Sequence, residues 1–411
     1  MAERTILIVG TYDTKEDELR YIAEVIRTQG GRVVAMDVSV LGDPAQPVEY
    51  SKHQVAEAAG GSIAQAIGGG DENSAMQIMA RGAAQLTAHL YAEGAFDGVL
   101  VLGGTMGTDL ALDVCNAVPL GVPKYVVSTV SFSPLIPAER LAADIQMILW
   151  AGGLYGLNSL CKASLSQAAG AVLGAARAVQ RRDATRPLIG MTSFGKSFLT
   201  YMVPLKPALE ARGYEVAVFH ATGMGGRAFE NLAAQGAFAC VMDFATQEVG
   251  NFIHGSALHA GKTRLTAAGR AGVPQMVSAG GYDLVDLPGW QPMPAALEQL
   301  ESHAHNRLLT SVVLDAGGRR KVAQALARRL AQAQGPSVFF LPTGGTHALD
   351  APGAALCHPE GLQAFVQEMT QACPPSTQLI SLKAHINDPA FSQAVLAQFD
   401  RWVAEGIVPR P

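Results

Sequence analysis

Several features that mark particular classes of protein are missing from this 411-residue sequence or are rare in it. Its five cysteines are odd in number and form no Cys-x-x-Cys pair, which argues against a disulfide framework and a zinc knuckle and favours a reducing compartment. Charged residues make up only 16%, and the net charge of -5 comes without any run of more than three Lys or Arg residues. We therefore expect no nucleic-acid partner, because a phosphate backbone needs a concentrated basic surface.

No apolar stretch is long enough to predict a membrane helix. The most apolar later stretch, Leu141 to Leu160, contains Asp144 and several glycines, and it falls short of the roughly 18 uncharged residues that a span requires. The first strand-like segment, Thr5 to Val9, is not preceded by the basic head and apolar core of a signal peptide. The sequence therefore predicts a cytoplasmic protein with no membrane partner.

The sequence is instead rich in small and apolar residues. Hydrophobic residues make up 49% and there are 44 glycines, which is typical of parallel strands that are buried on both faces and joined by Gly-rich turns. Because single cores rarely grow beyond about 250 to 300 residues, the length favours two domains.

The order of apolar runs predicts the same fold twice. Thr5 to Val9, an amphipathic helix and Arg32 to Val38 form one βαβ unit, and Leu188 to Met191, a helix and Tyr214 to Phe219 repeat it. Later apolar runs such as Ser311 to Leu314 alternate with helical patterns, which predicts a mostly parallel sheet in each half. The fold class is therefore α/β, with two Rossmann-like, doubly wound subdomains.

An Ala-rich helical stretch precedes the predicted boundary between the subdomains. It runs from about Asn158 to Gln180 and is followed by Arg181-Arg182-Asp183. We therefore predict an amino-terminal subdomain over residues 1–183 and a carboxy-terminal one over residues 184–411.

The strand Gly98 to Leu102 leads into a loop that is suited to phosphate. Three glycines allow the backbone to approach a ligand closely, two threonines add hydroxyl groups, and the following helix contributes the positive end of its dipole. These candidates are Gly103, Gly104, Thr105, Met106, Gly107 and Thr108. The alternative is a tight turn that serves only packing.

The loop after the first strand lies beside this phosphate loop if the two strands are neighbours. Lys15 is a candidate partner for phosphate oxygens, and Asp13 is a candidate Mg²⁺ ligand. Asp37, at the end of the second strand, occupies the position where such folds often bind a ribose hydroxyl. The alternatives are an N-cap role for Asp13, a solvated Lys15 and an ordinary turn at Asp37.

A second nucleotide candidate lies in the other half. Gly190, Gly195, Lys196 and Ser197 fit the Gly-x-x-x-x-Gly-Lys-Ser pattern of a P-loop, and Asp243 ends an apolar run as a magnesium-binding acid would. Bulky Phe194 argues against this interpretation, because P-loops usually need small residues there. We rank the P-loop second.

Other loops of the second half are candidates for a substrate site. Each follows an apolar run, and their His and Arg side chains suit acid–base chemistry and carboxylate binding. The candidate residues are His220, Thr222, Gly225, Gly226, Arg227, His305, Asn306, His385 and Asp388, with the loops 278–283 and 342–347 beside them. Any one of these histidines is more often a turn, cap or core residue, and no spacing of His, Cys and Asp marks a tight metal site.

A set of short motifs spread over nearly the whole chain resembles the ATP-binding domain family typified by the plant tobamovirus-resistance protein, which has many bacterial relatives of largely unassigned function. The motifs are Gly10-Thr11-Tyr12-Asp13-Thr14-Lys15, Leu102-Gly103-Gly104 with Gly107-Thr108, Gly121-Val122-Pro123-Lys124, His220-Ala221-Thr222-Gly223 with Gly225-Gly226-Arg227-Ala228, Ala267-Ala268-Gly269-Arg270-Ala271-Gly272, and Ala384-His385-Ile386-Asn387-Asp388-Pro389. Their combination is more specific than any single Gly-rich loop.

The resemblance implies ATP with Mg²⁺ in the first subdomain and self-association as a homodimer. The family's nucleotide contacts fall on Asp13, Thr14, Lys15, Asp37 and the stretch Thr105 to Thr108. Where relatives tend to carry an Arg-Gly pair, this chain has Glu72-Asn73, so a contact at that place is not carried over.

Three hypotheses for function follow. The first is an ATP- and Mg-dependent enzyme that acts on a small metabolite in the cleft between the subdomains. The second is a non-catalytic nucleotide-sensing or interaction protein. The third is a P-loop NTPase centred on Lys196.

Overall fold

The structure is a computed structural model that describes residues 3–180 and 185–411. The chain divides into two compact units, Met1–Arg182 and Asp183–Pro411. The boundary predicted at 183/184 lies outside the described residues.

The amino-terminal unit alternates strands and helices, as its apolar runs predict. Its strands are β1 (Thr5–Gly10), β2 (Arg32–Asp37), β3 (Gly98–Gly103), β4 (Lys124–Ser128) and β5 (Ile145–Leu149). Its α-helices are α1 (Tyr12–Thr28), α2 (Lys52–Ala58), α3 (Ile63–Gly68), α4 (Glu72–Ala92), α5 (Thr105–Asn116) and α6 (Ser159–Ala178).

The five strands form one parallel sheet in the order β2-β1-β3-β4-β5. Alternate residues of β1 enter different cores, with Leu7 and Val9 packed on one face of the sheet and Ile6 and Ile8 on the other. Both faces are covered by helices, which explains why β1 and β3 are continuous apolar runs.

The carboxy-terminal unit has nine strands and seven α-helices among its described residues. The strands are β6 (Leu188–Ser193), β7 (Glu215–His220), β8 (Cys240–Ala245), β9 (Gln275–Gly280), β10 (Leu284–Pro288), β11 (Ser302–Ala304), β12 (Leu309–Val313), β13 (Ser337–Pro342) and β14 (Gln378–Leu382). The helices are α7 (Met202–Glu210), α8 (Met224–Ala234), α9 (Gln247–Ile253), α10 (Ala267–Arg270), α11 (Ala316–Leu330), α12 (Pro359–Ala372) and α13 (Pro389–Ala404).

Six of these strands form a second parallel sheet, in the order β14-β13-β9-β8-β6-β7. The other three form an antiparallel sheet in the order β10-β12-β11. The apolar run at 311–314 therefore does not belong to the parallel sheet. No helix separates β10, β11 and β12 along the chain, and consecutive strands without a crossover helix pair antiparallel.

The predicted fold class is confirmed: the chain has two Rossmann-like units with mostly parallel sheets. In each large sheet the strand order reverses beside the unit's first strand, between β1 and β3 and between β6 and β8. Such a reversal, called here the switch point, is where doubly wound folds usually bind ligands. No helix within the described ranges is long and apolar enough to cross a membrane.

Candidate functional site

A cavity of about 590 Å³ lies beyond the carboxyl ends of β1 and β3, at the switch point of the amino-terminal unit. Eight of the ten residues predicted to bind ATP line it: Asp13, Thr14, Lys15, Gly103, Gly104, Thr105, Met106 and Gly107. Its volume lies within the range of roughly 300 to 1,000 Å³ that is usual for small-molecule sites. The structure therefore brings the two predicted loops together at one site.

The loop between β3 and α5 presents bare backbone to the cavity. Gly104 caps α5 without any side-chain hydrogen bond, and the amide groups of Thr105, Met106 and Gly107 belong to the first turn, where no intrahelical acceptor exists. A Cβ atom on Gly103 would lie 2.5 Å from the Cα of Gly107, so only glycine allows this close turn. The result is a helix N-terminus that is open to an anion.

The loop after β1 supplies one cation and one unsatisfied carboxylate oxygen. Helix α1 is kinked at Lys15, whose backbone is non-helical (φ -134°, ψ 25°). The Oδ2 atom of Asp13 accepts a long hydrogen bond from the Gly42 amide (3.4 Å), whereas its buried Oδ1 has no hydrogen-bond partner among the described residues. An orphaned oxygen at the cavity wall suits a hard cation such as Mg²⁺.

The rest of the cavity lining comes from α3, α4 and the segment after β2, and among these residues the sequence indicates only Glu72, as a departure from the family pattern. Its members are mainly apolar and are joined by two acids: Val40, Leu41, Ala66, Ile67, Ala75, Met76, Asp71 and Glu72. Asp71 caps α4 by accepting a hydrogen bond from the Ser74 amide (2.8 Å). The sequence does carry a signal for the start of α4. Asp71, a residue type that is favoured at N-caps, comes directly after three glycines.

Two predicted nucleotide contacts do not line the cavity. Asp37 is 1% exposed and accepts hydrogen bonds from the backbone amides of Tyr12 (3.2 Å) and Ser39 (2.9 Å), so it shapes the loop after β1. Burial raises the pKa of Asp37, although its hydrogen bonds with Ser39 oppose that shift. Thr108 is 2% exposed, and its hydroxyl donates to the Gly104 carbonyl oxygen (2.7 Å).

The charges along the cavity oppose a bare polyanion. Three carboxylates, those of Asp13, Asp71 and Glu72, line it together with one ammonium group, that of Lys15. A triphosphate in this cavity therefore needs a divalent cation to offset the repulsion between like charges. The donor set fits Mg·ATP better than ATP alone.

The P-loop pattern of the second half does not form a P-loop. Gly190 lies inside β6, where a Cβ atom would be 2.9 Å from the Phe238 ring, so its role is packing. Helix α7 begins only at Met202, and Lys196 and Ser197 are exposed residues of an irregular segment. A phosphate loop requires a strand, a compact turn and an immediately following helix, and that arrangement is absent between β6 and α7.

Asp243, the candidate magnesium acid of that pattern, is fully engaged. Both of its oxygens accept hydrogen bonds from the guanidinium group of Arg264, and Thr192 donates to Oδ1 (2.8 Å). Arg264 is completely buried and also pairs with Glu248 (2.6 Å) and Glu230 (3.2 Å). Burial raises the pKa of both Glu230 and Glu248, against the opposing charge of Arg264. We call these four residues the Arg264 cluster.

The predicted substrate residues do not meet at one site. His220 ends β7 and His385 follows β14, and these strands are the opposite edges of the six-stranded sheet, roughly 24 Å apart at the usual strand spacing. Gly225 and Gly226 lie in the first turn of α8, where Cβ atoms would clash with the His220 carbonyl oxygen and the Glu248 carboxylate. These glycines serve packing.

The remaining members of that set lie in turns and caps. His305 and Asn306 form the exposed turn between β11 and β12. Thr222 lies in the turn after β7, and Arg227 is part of α8. Asp388 is at the N-cap position of α13 but forms no side-chain cap, and its carboxylate accepts a hydrogen bond from the His385 amide (2.8 Å).

His385 has no ring nitrogen left for acid–base chemistry. Its Nδ1 accepts a hydrogen bond from the Asn387 amide (3.0 Å), and its Nε2 contacts the Asp350 carboxylate (3.0 Å) and the His347 carbonyl oxygen (3.0 Å). The ring therefore holds the loops after β13 and β14 together.

A buried cluster lies beside it, and two of its members, Asp283 and His347, end the loops 278–283 and 342–347 that the sequence places beside the substrate candidates. One ligand-type atom from each of Asp283, His347 and Asp350 lies within 4.8 Å of the others. Such spacing suits a metal ion, but Arg319 already contacts Asp283 (3.0 Å) and His347 contacts the same carboxylate (3.1 Å). These cations outweigh burial and lower the pKa of Asp283 to about 2. The cluster is an internal ion network.

Comparison with known families gives two matches that together span most of the chain. The N-terminal domain of the uncharacterised protein family UPF0261 matches residues 4–181, and the C-terminal domain of that family matches residues 186–403.

Similar sequences occur in bacteria and in a plant. A UPF0261 protein of Brucella suis is 52% identical over 98% of this chain and 96% of its own length, and one of Clostridium tetani is 32% identical over 95% and 97%. The ToMV resistance protein Tm-1 of tomato (Solanum lycopersicum) is 29% identical over 96% of this chain and 55% of its own length.

Solved structures resemble the chain only weakly. A putative UDP-N-acetylglucosamine 2-epimerase from Listeria monocytogenes has a TM-score of 0.23 and 9% identity, over 100% of this chain and 99% of that one. A likeness this weak gives no indication of function.

Proposed function

The chain belongs to the UPF0261 family, and from this premise and the geometry of the first switch point we propose that its amino-terminal unit binds Mg·ATP. The observation that carries the proposal is the meeting of the bare α5 N-terminus, Lys15 and the orphaned Asp13 oxygen in one cavity.

In this proposal the phosphates lie over the first turn of α5. The amides of Thr105, Met106 and Gly107 donate to phosphate oxygens, and the dipole of a 12-residue helix adds to the attraction. Lys15 places its ammonium group beside the same oxygens, and no ion pair within the described ranges holds it elsewhere.

Magnesium is held by Asp13. Its Oδ1 atom is the orphaned oxygen of the cavity, and Mg²⁺ prefers one or two carboxylates with water and phosphate oxygens. A bound magnesium ion offsets phosphate charge and orients the phosphates. The apolar side chains of Ile67, Ala75 and Met76 offer a surface for the base.

The leading form of the proposal is an ATP-dependent enzyme that acts on a small metabolite in the cytoplasm as a homodimer. One observation favours the second candidate, a nucleotide-sensing protein without turnover. No His, Cys or Tyr of the described ranges lines the cavity, and two of the cavity's four ionisable side chains, Asp13 and Lys15, are assigned here to magnesium and phosphate, which leaves only Asp71, the N-cap of α4, and Glu72 for proton transfer. Steady phosphate release from Mg·ATP would support an enzyme, and binding without release would support a sensor.

Calorimetric titration of ATP with and without magnesium tests the proposal. We expect binding in Mg²⁺ that weakens at least tenfold in EDTA, and we expect Asp13→Asn to weaken binding in Mg²⁺ to a similar degree. Asp17→Asn is the matched control, because Asp17 is exposed on the same helix and does not line the cavity. Equal affinity with and without Mg²⁺, together with an unaffected Asp13→Asn, would contradict the proposal.

A further inference from the structure

A second cavity, of about 630 Å³, lies wholly within the carboxy-terminal unit and has no part in the proposed ATP site. We propose that it binds the oxyanion group of a small organic ligand, a carboxylate or a phosphate monoester. It is called here the α11–α12 cavity, because residues at the starts of both helices line it.

Two helix N-termini open onto this cavity. Asp315 and Ala316 at the start of α11 line it, and so do Pro359, Glu360 and Gly361 at the start of α12. The helices have 15 and 14 residues, so each carries a developed dipole. First-turn amides have no intrahelical acceptor, and the His358 side chain forms no cap for α12. Anions bind at such ends.

A buried guanidinium group provides an independent reason to place an anion here. Arg319 lines the cavity and is only 2% exposed. Its Nε donates to the Leu314 carbonyl oxygen (2.8 Å), and its Nη1 contacts the Asp283 carboxylate (3.0 Å) and the Tyr282 hydroxyl (3.3 Å). Its Nη2 has no hydrogen-bond partner in the part of the chain that the structure describes.

The unsatisfied Nη2 is costly unless a ligand accepts from it. A buried polar group without a partner has lost its hydrogen bonds to water without replacing them, and the free-energy cost is larger when the group is charged. The start of α12 lies against this guanidinium, since a Cβ atom on Gly361 would be 2.8 Å from Arg319 Nε. The guanidinium group that carries the free donor therefore packs against the first turn of α12.

The other charges on the wall limit the ligand to a modest negative charge. Glu301 pairs with His358 (2.8 Å), and Asp315 caps α11 by accepting from the Gly318 amide (2.7 Å). Glu360 adds a carboxylate to the wall. One oxyanion group suits this balance, whereas a triphosphate does not. Leu300, Val313 and Leu314 offer apolar contacts for the rest of the ligand.

The test uses the full chain and two probes, sodium butyrate and inorganic phosphate, each followed by calorimetric titration and by the midpoint of thermal unfolding. Butyrate tests whether the cavity binds a carboxylate ligand, and inorganic phosphate tests whether it binds a phosphate monoester. We expect at least one probe to bind and to raise the unfolding midpoint, because a ligand that binds the folded state stabilises it.

Two variants remove separate donors. Arg319→Lys keeps a cation beside Asp283 but removes Nη2, and we expect affinity to fall at least tenfold. Ala316→Pro removes one first-turn amide, and we expect a fall of severalfold. Proline is favoured at a first helical position, and Asp315 already has the extended backbone (φ -68°, ψ 174°) that proline requires before it.

Arg320→Gln is the matched control, because Arg320 is exposed on α11 and does not line the cavity. It should leave both probes unaffected. The absence of binding by either probe would overturn the proposal, and so would equal affinity in wild type, Arg319→Lys and Ala316→Pro. Arg319→Lys should bind Mg·ATP with the affinity of wild type. Failure of the oxyanion site is therefore distinguishable from failure of the proposed ATP site.

Discussion

The two switch points of this chain have the same strand order but opposite contents. In the amino-terminal unit, the helix after the third strand of the sheet begins with exposed Thr105 and Met106 above an open cavity. In the carboxy-terminal unit, the corresponding helix α9 begins with Gln247 and Glu248, which are 3% and 0% exposed. One unit leaves its helix N-terminus open to a cavity, whereas the other buries it.

The second switch point is filled by the protein's own side chains. Phe194 and Gln247 lie against Gly281, where a Cβ atom would be 2.8 Å from the Phe194 ring. Glu248 accepts a hydrogen bond from the Gly223 amide (2.5 Å), so a protein carboxylate binds the turn before α8. Strand order therefore gives the place of a possible site, whereas side-chain size and charge decide whether a ligand can enter.

The largest expected effect comes from breaking the closed switch point. Arg264→Met leaves Asp243, Glu230 and Glu248 buried without their cation, and removing one partner of a buried ion pair typically costs about 3–5 kcal/mol. Urea unfolding of the full chain should show this loss. Arg270→Met, at an exposed arginine nearby in sequence, should change stability little, and a similar small change for Arg264→Met would contradict the account.

At the open switch point we expect an effect on binding and not on folding. Lys15→Ala should weaken Mg·ATP binding about tenfold, or about 1.4 kcal/mol, because a charge-assisted contact to phosphate is lost. Calorimetric titration gives the affinity, and thermal unfolding without nucleotide should be nearly unchanged. Lys162→Ala is the control, because Lys162 does not line the cavity. If Lys15→Ala bound Mg·ATP with unchanged affinity, the Lys15 ammonium group would not contact the nucleotide.

A smaller effect, at His347 in the carboxy-terminal unit, should depend on pH. Burial lowers the pKa of His347, but the Asp283 carboxylate outweighs burial and raises it above the ordinary value. A histidine whose pKa is raised in the folded state stabilises the fold at pH values below its ordinary pKa of about 6.5. This stabilisation is lost as the pH rises through the pKa of the folded state. The pKa of Asp283 is lowered to about 2. The contribution of its carboxylate to stability is therefore complete above about pH 4 and is lost as the pH falls below that value.

His347→Gln should therefore cost on the order of 1 kcal/mol between about pH 4 and 6.5, and less at higher pH. The unfolding midpoint at pH 5 and pH 9, compared with that of wild type, measures the difference. His89→Gln is the control, because His89 is an exposed partner of Glu93 on α4. A cost for His347→Gln that does not vary with pH would contradict the ion-pair interpretation.

The smallest effect is expected for Lys196→Ala. This exposed lysine lies in an irregular segment, so both Mg·ATP affinity and the free energy of unfolding should stay close to wild type, the latter within about 0.5 kcal/mol. A loss of nucleotide binding in this variant would reverse the assignment of the two switch points.

The strands, and the two loops that meet at the first cavity, could be predicted from the sequence because they depend on local patterns. Buried parallel strands such as β1 and β3 are continuous apolar runs, and the glycines of residues 103–107 mark a backbone that approaches something closely. Asp37 and Thr108 show the limit of this reasoning. Their positions suit a ligand, but the direction of a side chain depends on neighbours such as Ser39 and Ser128.

The closed switch point and the α11–α12 cavity could not be found in the same way. The Arg264 cluster joins α8, β8, α9 and the segment before α10, and its charges look like scattered surface residues in the sequence. The sequence matches the P-loop pattern although no P-loop forms there, because Gly190 lies in the interior of strand β6. Long-range packing, which single-sequence patterns do not record, decides both cases.

The most direct test of the central claim is the stoichiometry of Mg·ATP binding by calorimetry. The account predicts one site per chain, which Asp13→Asn combined with Lys15→Ala abolishes and which Lys196→Ala leaves intact. Two sites per chain, or one site that survives the double substitution and disappears in Lys196→Ala, would contradict it.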